Sequence, residues 1–290
     1  MLSATGTTLD SPDFSRDVIG DVAGRFQADP THLRAAVLFE ACLRHPEELV
    51  RVAAASAYLD LTTDPGPSLA ELRKGVGSED ELTREVAATS LAHYSPEDPS
   101  LASLLAPGPS LEGGAPATTA ALVHGTWARG ASWWQPTGAF HQYLLAAVRP
   151  DLYSAPDLFS WSGGYSDAAR ATGAIDLLGW VAGHNLNGLD VITHSHGGSV
   201  AMLATHGGLD VGELVLLSCP VHVPKYLPQF ARVGTVVSIR VRLDLVILAD
   251  RGGQRFNHPQ IAEHVLPIWF SHSATHDPAV WQKHNVPQFL

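Results

Sequence analysis

The sequence predicts an α/β protein: a doubly wound, mostly parallel sheet of about six strands, preceded by an all-helical segment. Three observations predict it. Apolar residues recur at helical spacing through residues 1–95, and a stretch rich in Pro and Gly follows at 96–117. From 118 to 290, short and nearly continuous apolar runs alternate with helical patterns, as in a parallel sheet covered on both faces. We therefore expect a helical segment, a linker and a larger domain, with these boundaries.

The helical segment contains an internal repeat. Residues 45–61 and 78–94 match at an offset of 33, and each copy has a predicted helix before it, near 32–44 and 67–76. The matched pairs are Glu48 with Glu81, Leu49 with Leu82, Arg51 with Arg84, Ala54 with Ala87 and Ala55 with Ala88. Residues 31–95 thus resemble two HEAT-type repeats. Two repeats are fewer than the roughly three that make a solenoid stable alone, so we expect helices that lean on the second domain rather than an independent interaction surface.

Composition and charge exclude several classes of protein. The chain has 290 residues, 45 % of them hydrophobic, and a net charge of −11. Residues 1–115 hold 8 basic and 18 acidic side chains and residues 116–290 hold 10 and 11, so the acidity lies in the first segment. Such a chain is a poor candidate for binding nucleic acid, which needs clustered Lys and Arg.

Location is predicted from what the sequence lacks. No apolar run approaches the roughly 18 residues that span a bilayer, and the first residues show no secretory signal. The two cysteines, Cys42 and Cys219, lie in different segments, and we expect both to stay reduced. A cytoplasmic protein is expected, with no integral membrane association.

Polar residues follow the predicted strands of the second segment. Strands are predicted at 120–123, 158–161, 189–193, 214–218, 236–241 and 265–270, and helices at 167–185 and 197–205. Ligands of such sheets bind at the carboxyl ends of the strands. A serine, a carboxylate and a histidine follow three of the strands in that order, as in hydrolases with a nucleophile elbow.

Ser195 is the predicted nucleophile. It lies in Thr193-His194-Ser195-His196-Gly197, between an apolar strand and a helix. This run fits the elbow pattern G-x-S-x-G except at Thr193. A tight turn there exposes the serine above the sheet, with the positive end of the following helix beneath a developing oxyanion.

Two backbone N–H groups are predicted to form the oxyanion hole, those of His196 and of Thr126 in the loop after the first strand. The same loop carries Trp127, Trp133 and Trp134. We expect them to wall a substrate groove, although buried packing is an equal alternative for each.

The general base and its acid each have two candidates. Asp244 follows the predicted strand at 236–241 where the acid loop should begin, and Asp250 is its rival. His272 follows the last predicted strand, whereas His276 precedes Asp277-Pro278, where a helix should start. We favour Asp244 and His272. His272 would take the proton of Ser195, and Asp244 would hold the imidazole tautomer.

With these positions, residues 116–290 resemble an α/β-hydrolase of the bacterial lipase and esterase type. The stretches that carry the resemblance are 120–127, 192–198, 238–247, and His272 with Val280. The resemblance implies a six-stranded core sheet, hydrolysis of carboxylic esters, and no cofactor. The weak net charge of residues 116–290 and their tryptophans favour a small uncharged acyl ester as the substrate. The stretch between Cys219 and Gly234 is short, so no large lid is expected.

Other functions were weighed on the same residues. His194 and His196 resemble a metal-binding H-x-H pair, but Gly197-Gly198 stands where further ligands would follow, so no metal is expected. Two alternatives remain: that the chain is a serine amidase or thioesterase, and that it is a helical interaction module on a non-catalytic hydrolase scaffold. The sequence does not choose an oligomeric state.

Overall fold

The computed structural model describes residues 16–105, 120–155, 157–186 and 188–290. The chain divides into two compact units, Met1–Leu91 and Ala92–Leu290. Among the described residues, no helix has both the length and the hydropathy needed to cross a membrane. The predicted linker at 96–117 is only partly described: Pro99–Leu105 forms a 3₁₀ helix, and residues 106–117 lie outside the described ranges.

The first unit is helical, as the apolar spacing predicts. Its helices are α1 (Arg16–Ala28), α2 (His32–Cys42), α3 (Glu48–Tyr58), α4 (Gly66–Gly75) and α5 (Glu81–Tyr94), the last of which extends past the division between the units. Small side chains allow close packing. A Cβ added to Gly75 would lie 2.7 Å from Val52 Cγ2 and 2.8 Å from the Cβ of Ala87.

The internal repeat is visible in the hydrogen bonds of two arginines. Arg51 on α3 donates from Nη1 to the backbone oxygens of His45 and Pro46, each at 2.9 Å. Arg84 on α5 donates in the same way to the oxygens of Ser78, at 2.8 Å, and Glu79, at 3.4 Å. Each donor and acceptor is displaced by 33 residues, so the sequence match has an equivalent structural role in both copies.

The second unit contains a parallel sheet. Its strands are β1 (Ala120–Val123), β2 (Leu189–His194), β3 (Val211–Leu217), β4 (Val233–Val241) and β5 (Ala262–Leu266). They lie in the order β1-β2-β3-β4-β5, and every neighbouring pair is parallel. All five carboxyl ends therefore lie at one edge of the sheet.

Helices of the second unit are α6 (Ala139–Ala147), α7 (Asp167–Gly183), α8 (Gly197–His206), α9 (Leu245–Ala249) and α10 (Pro278–Lys283). Successive residues of a central strand belong to different apolar clusters. Leu214 and Leu216 pack in one cluster, whereas Val215 and Leu217 pack in the other. Since successive side chains point to opposite faces, both faces of the sheet are buried.

The predicted fold class is confirmed, and the described residues form a sheet of five strands where about six were expected. Residues 158–161 belong to no strand. Phe159 and Trp161 are buried there, and the Trp161 indole donates to the backbone oxygen of His124 at 2.8 Å. Side chains rather than a backbone ladder hold this segment, which explains its strand-like apolar pattern. The last strand also ends earlier than predicted, at Leu266, just before Pro267.

Candidate active site

Ser195 lies at a strained turn between β2 and α8. Its φ angle is 53°, in the left-handed region that few non-glycine residues adopt. Its backbone N–H donates to the oxygen of Leu217 at 2.8 Å, and its own oxygen accepts from the N–H of Gly198 at 3.0 Å. These two bonds fix the turn, and strain held in this way is typical of a nucleophile elbow.

The residues around the serine show why small groups are needed. A Cβ on Gly197 would lie 2.6 Å from the backbone oxygens of both Val123 and His124, and one on Gly198 would lie 2.6 Å from Cys219 Sγ. Thr193, which departs from the elbow pattern, is accommodated because its hydroxyl donates to the oxygen of Val215 at 2.9 Å. A buried polar group with a partner costs little.

The structure brings Asp244 and His272 together. Phe270 N donates to the oxygen of Leu243 at 2.7 Å, which sets the two loops side by side. His272 Nδ1 then donates to Asp244 Oδ2 at 2.8 Å, with both side chains buried. This bond leaves Nε2 as the imidazole nitrogen that can accept a proton.

Asp244 also caps α9. Its other oxygen, Oδ1, accepts from the backbone N–H groups of Val246 and Ile247 at 3.0 and 3.2 Å. The carboxylate is thus held from two sides. The helix cap fixes its orientation, and its remaining oxygen is free for the imidazole.

His272 lies beside the elbow. The His194 and His272 rings are 4.7 Å apart, and His194 Nε2 donates to the backbone oxygen of His272 at 3.3 Å. His276 packs against His194 at 4.5 Å but does not contact either acid candidate among the described contacts. Burial lowers the pKa of His276 to about 4 and holds that of His194 well below its usual range. Both rings are therefore neutral packing partners of the imidazole that meets Asp244.

Asp250, the rival acid, makes a different set of contacts. Its Oδ1 lies 3.2 Å from His196 Nε2 and accepts a short hydrogen bond from the Tyr165 hydroxyl. Its Oδ2 accepts from His222 Nε2 at 2.6 Å. Although burial alone would raise the pKa of Asp250, the nearby His196 and the three hydrogen bonds hold it well below its usual range.

The loop after β1 approaches the serine closely. A Cβ on Gly125 would lie 2.8 Å from the Cβ of Ser195 and 3.0 Å from the oxygen of His194. Among the described residues, neither the N–H of Thr126 nor that of His196 has a hydrogen-bond partner. Trp127, with φ at 56°, donates its own N–H to the oxygen of Gly163 at 2.9 Å. Each of the two loops that meet at Ser195 thus carries one backbone N–H group without a partner among the described residues, Thr126 in the loop after β1 and His196 in the turn after β2.

The three tryptophans of this loop separate into two kinds. Trp134 is buried, and its indole donates to the oxygen of Ala128 at 2.7 Å, so it packs the loop. Trp133 is half-buried and stacks on His276 at 4.2 Å. Trp127 is half-buried and stacks on Tyr165 at 5.7 Å. Of the three, Trp127 and Trp133 keep part of their surface exposed, whereas Trp134 follows the alternative of buried packing.

A polar cluster beside the elbow was missed at the sequence level. It consists of Asp250, His196, His222, Tyr165 and Arg170, and a pocket of about 430 Å³ is lined in part by four of them. The chain offers no local signal for it, since its members lie on α7, in the turn after β2 and in separate loops, up to 85 residues apart, and meet only in the folded protein. The position of His196 just after β2 was the one available clue.

Three groups of this cluster are of the kind that bind metals. The donor atoms of His196, His222 and Asp250 all lie within 4.8 Å of one another. Arg170 Nη2, however, lies 2.9 Å from His196 Nε2. A guanidinium carries only donors and a permanent charge, so it competes with a cation for that nitrogen. The donor set suits a transition metal, but its surroundings do not.

Comparison with protein families agrees with this geometry. Residues 120–287, more than half of the chain, match the alpha/beta hydrolase family. The chain belongs to that family. In this alpha/beta hydrolase, Ser195 follows β2, and Asp244 and His272 follow β4 and β5.

Other comparisons add little to the alpha/beta hydrolase assignment. No match was found among curated proteins. Among solved structures, the chain is similar to a 2.75 Å crystal structure of an uncharacterized protein from Bacillus cereus, with 11 % sequence identity and a TM-score of 0.34. That alignment covers 94 % of this chain and 97 % of the other.

Proposed function

We propose that this alpha/beta hydrolase is a serine esterase, with Ser195 as nucleophile, His272 as general base and Asp244 as the acid that orients it. The hydrogen bond between Asp244 and His272, 2.8 Å long and buried, carries the proposal. It fixes the Nδ1–H tautomer, so that Nε2 has the lone pair needed to take the serine proton.

The reaction would proceed in two steps. Ser195 Oγ attacks the ester carbonyl carbon as His272 takes its proton, and the oxyanion accepts hydrogen bonds from the N–H groups of Thr126 and His196. The protonated His272 then gives the proton to the leaving alcohol, and an acyl-enzyme remains. Water, deprotonated by His272, releases the acid and restores Ser195. No step requires a cofactor.

Trp127 and Trp133 are proposed to contact the substrate. Both are half-buried and lie on the loop that carries Thr126. Their rings favour an uncharged acyl or alcohol group over an ionised one. An ester with a short chain is the class that we expect to be turned over.

Turnover of p-nitrophenyl butyrate by the wild type and by Ser195→Ala tests the proposal. We expect kcat to fall by about 10⁴-fold or more in the variant. A fluorophosphonate probe should label the wild type and leave Ser195→Ala unlabelled. Equal turnover in the two proteins, or labelling of the variant, would show that another group carries the reaction.

We also propose that the first unit contains two HEAT-like repeats. The equivalent backbone hydrogen bonds of Arg51 and Arg84 support this proposal. If both copies use their arginine alike, Arg51→Met and Arg84→Met should each lower the stability in urea, Arg51→Met by more because it also loses the ion pair with Glu71. No loss of stability in Arg84→Met would argue against equivalent repeats.

A further inference from the structure

The carboxylate of Asp250 accepts hydrogen bonds from two segments of the chain, the turn after Ser195 and the segment that precedes α7. Tyr165 and His196 both meet Oδ1, Tyr165 through its hydroxyl and His196 through Nε2 at 3.2 Å. Asp250 is 2 % exposed and His196 is 3 % exposed, so solvent screens these contacts little. A buried charge is retained where it is paired, and Asp250 has three partners.

One of these contacts fixes the residue after the nucleophile. The His196 ring is held at both nitrogens: Nδ1 lies 3.1 Å from Ser199 Oγ, and Nε2 faces Asp250 and Arg170. If Nε2 is protonated, it donates a hydrogen bond to Asp250. If Nε2 is not protonated, it accepts a hydrogen bond from Arg170. In either tautomer the side chain is anchored, and its backbone N–H is kept in one direction.

The other contact reaches the loop after β1. The Tyr165 ring stacks on Trp127 at 5.7 Å with an interplanar angle of 15°, and Trp127 N–H is bonded to Gly163, two residues before Tyr165. Trp127 directly follows Thr126. The Tyr165 hydroxyl thus connects Asp250 to the segment that carries the second oxyanion donor.

We infer that Asp250 is a positioning residue, which ties together the two loops that carry the proposed oxyanion donors, Thr126 and His196. This inference rests on the proposed esterase function. Oxyanion donors act through their preorganised geometry, and a small displacement of either one costs rate rather than binding of the ground state. The role differs from that of Asp244, which acts on the general base.

Two variants test whether Asp250 positions the two loops. Asp250→Asn removes the charge and keeps the shape, and Tyr165→Phe removes only the hydroxyl and keeps the stack on Trp127. We expect kcat for p-nitrophenyl butyrate to fall about 10-fold in Asp250→Asn and less in Tyr165→Phe, with KM changed less than twofold in both. If Asp250→Asn fails to fold, Tyr165→Phe carries the kinetic test.

The chain offers a control with the same kinds of partner but a more exposed carboxylate. Asp157 accepts from Tyr153 at 2.7 Å and from His184 at 2.7 Å, and among the described contacts none of the three residues touches the elbow. Asp157→Asn should leave kcat unchanged. Thermal unfolding of all variants, measured alongside, shows how far any rate loss follows stability alone.

A trifluoromethyl ketone gives a readout that a merely structural role would not move. Ser195 Oγ adds to its carbonyl carbon, the serine proton passes to His272, and the carbonyl oxygen becomes an oxyanion in the hole. Loosened donors should raise the pKa of the bound hemiketal, which ¹⁹F NMR follows, in Asp250→Asn but not in Asp157→Asn.

The outcomes are separable. An unlabelled and inactive wild type would overturn the esterase proposal itself. An active wild type with unchanged kcat and hemiketal pKa in Asp250→Asn and Tyr165→Phe would overturn only the inference. So would one equivalent of zinc bound to the purified wild type and lost in Asp250→Asn, because the carboxylate would then be a metal ligand.

Discussion

Replacing Asp244 by Asn separates the two tasks of that side chain. In the wild type, Oδ1 caps α9 through Val246 and Ile247, and Oδ2 accepts from His272 Nδ1. Asn caps a helix about as well as Asp, so its oxygen can keep the first task. Its amide nitrogen then faces His272 and donates, which forces the Nε2–H tautomer. In that tautomer the lone pair is on Nδ1, so Nε2 cannot accept the proton of Ser195.

The size of the effect follows from this change of tautomer. A triad with the wrong tautomer loses about 10⁴-fold in kcat, which corresponds to roughly 5 kcal/mol of barrier. The free energy of unfolding should change by less than about 1 kcal/mol, because the cap survives. A large rate loss with little loss of stability is therefore expected.

The assay is turnover of p-nitrophenyl butyrate by Asp244→Asn beside Asp250→Asn, with urea unfolding of both. Asp250→Asn should cost only about 10-fold. If Asp244→Asn kept more than a tenth of wild-type kcat, or if Asp250→Asn were the more damaging change, Asp244 would not be the acid and the reasoning from the Asp244–His272 bond would be refuted.

Three further changes test other parts of the molecule. Gly125→Ala, whose Cβ would lie 2.8 Å from that of Ser195, should lower kcat about 100-fold by displacing the loop, as steady-state kinetics would show; unchanged kcat would contradict that close approach. Gly75→Ala should cost about 1–3 kcal/mol in urea unfolding, whereas Gly24→Ala, with nothing within 4 Å, should cost nothing; equal effects would refute the packing of α4. Burial lowers the pKa of His124 to about 4, below the ordinary value near 6.5, so its neutral form stabilises the fold above pH 6.5 and that stability is lost as the pH falls towards 4. Between pH 7 and pH 5 this amounts to about 2 kcal/mol, so urea unfolding of His124→Gln should depend on pH less than the wild type does, and equal slopes would exclude the effect.

The elements that the sequence predicts correctly, and the candidate site residues that lie next to them, have a local signal. The nucleophile candidate lies between an apolar strand and a helix, and Asp244 directly follows a strand that is readable by itself. Its capping of α9 is also a short-range property. The fold class, the α7 and α8 helices and the parallel sheet follow from the same period and length rules.

The features that the sequence missed depend on long-range contacts. Residues 158–161 have the apolar pattern of a strand, but tertiary contacts such as the Trp161 indole bond to His124 hold them without a ladder. The sequence offers Asp250 only as the rival of Asp244 for the acid, and not as the centre of a polar cluster. The partners of Asp250 are 28 to 85 residues away in the sequence, so the residues next to it in the chain give no indication of the cluster.

The charges beside the elbow bear on the substrate. Asp167 accepts from Tyr226 and pairs with Arg170 and Lys225, while Asp250 is hydrogen-bonded to Tyr165, His196 and His222. These charged groups have partners within the fold, and residues 116–290 have a net charge of only −1. The acidity of the chain, 10 of its 11 net negative charges, belongs to residues 1–115. An ionised substrate would have to break internal pairs to be recognised, which favours an uncharged ester as the substrate of the proposed reaction.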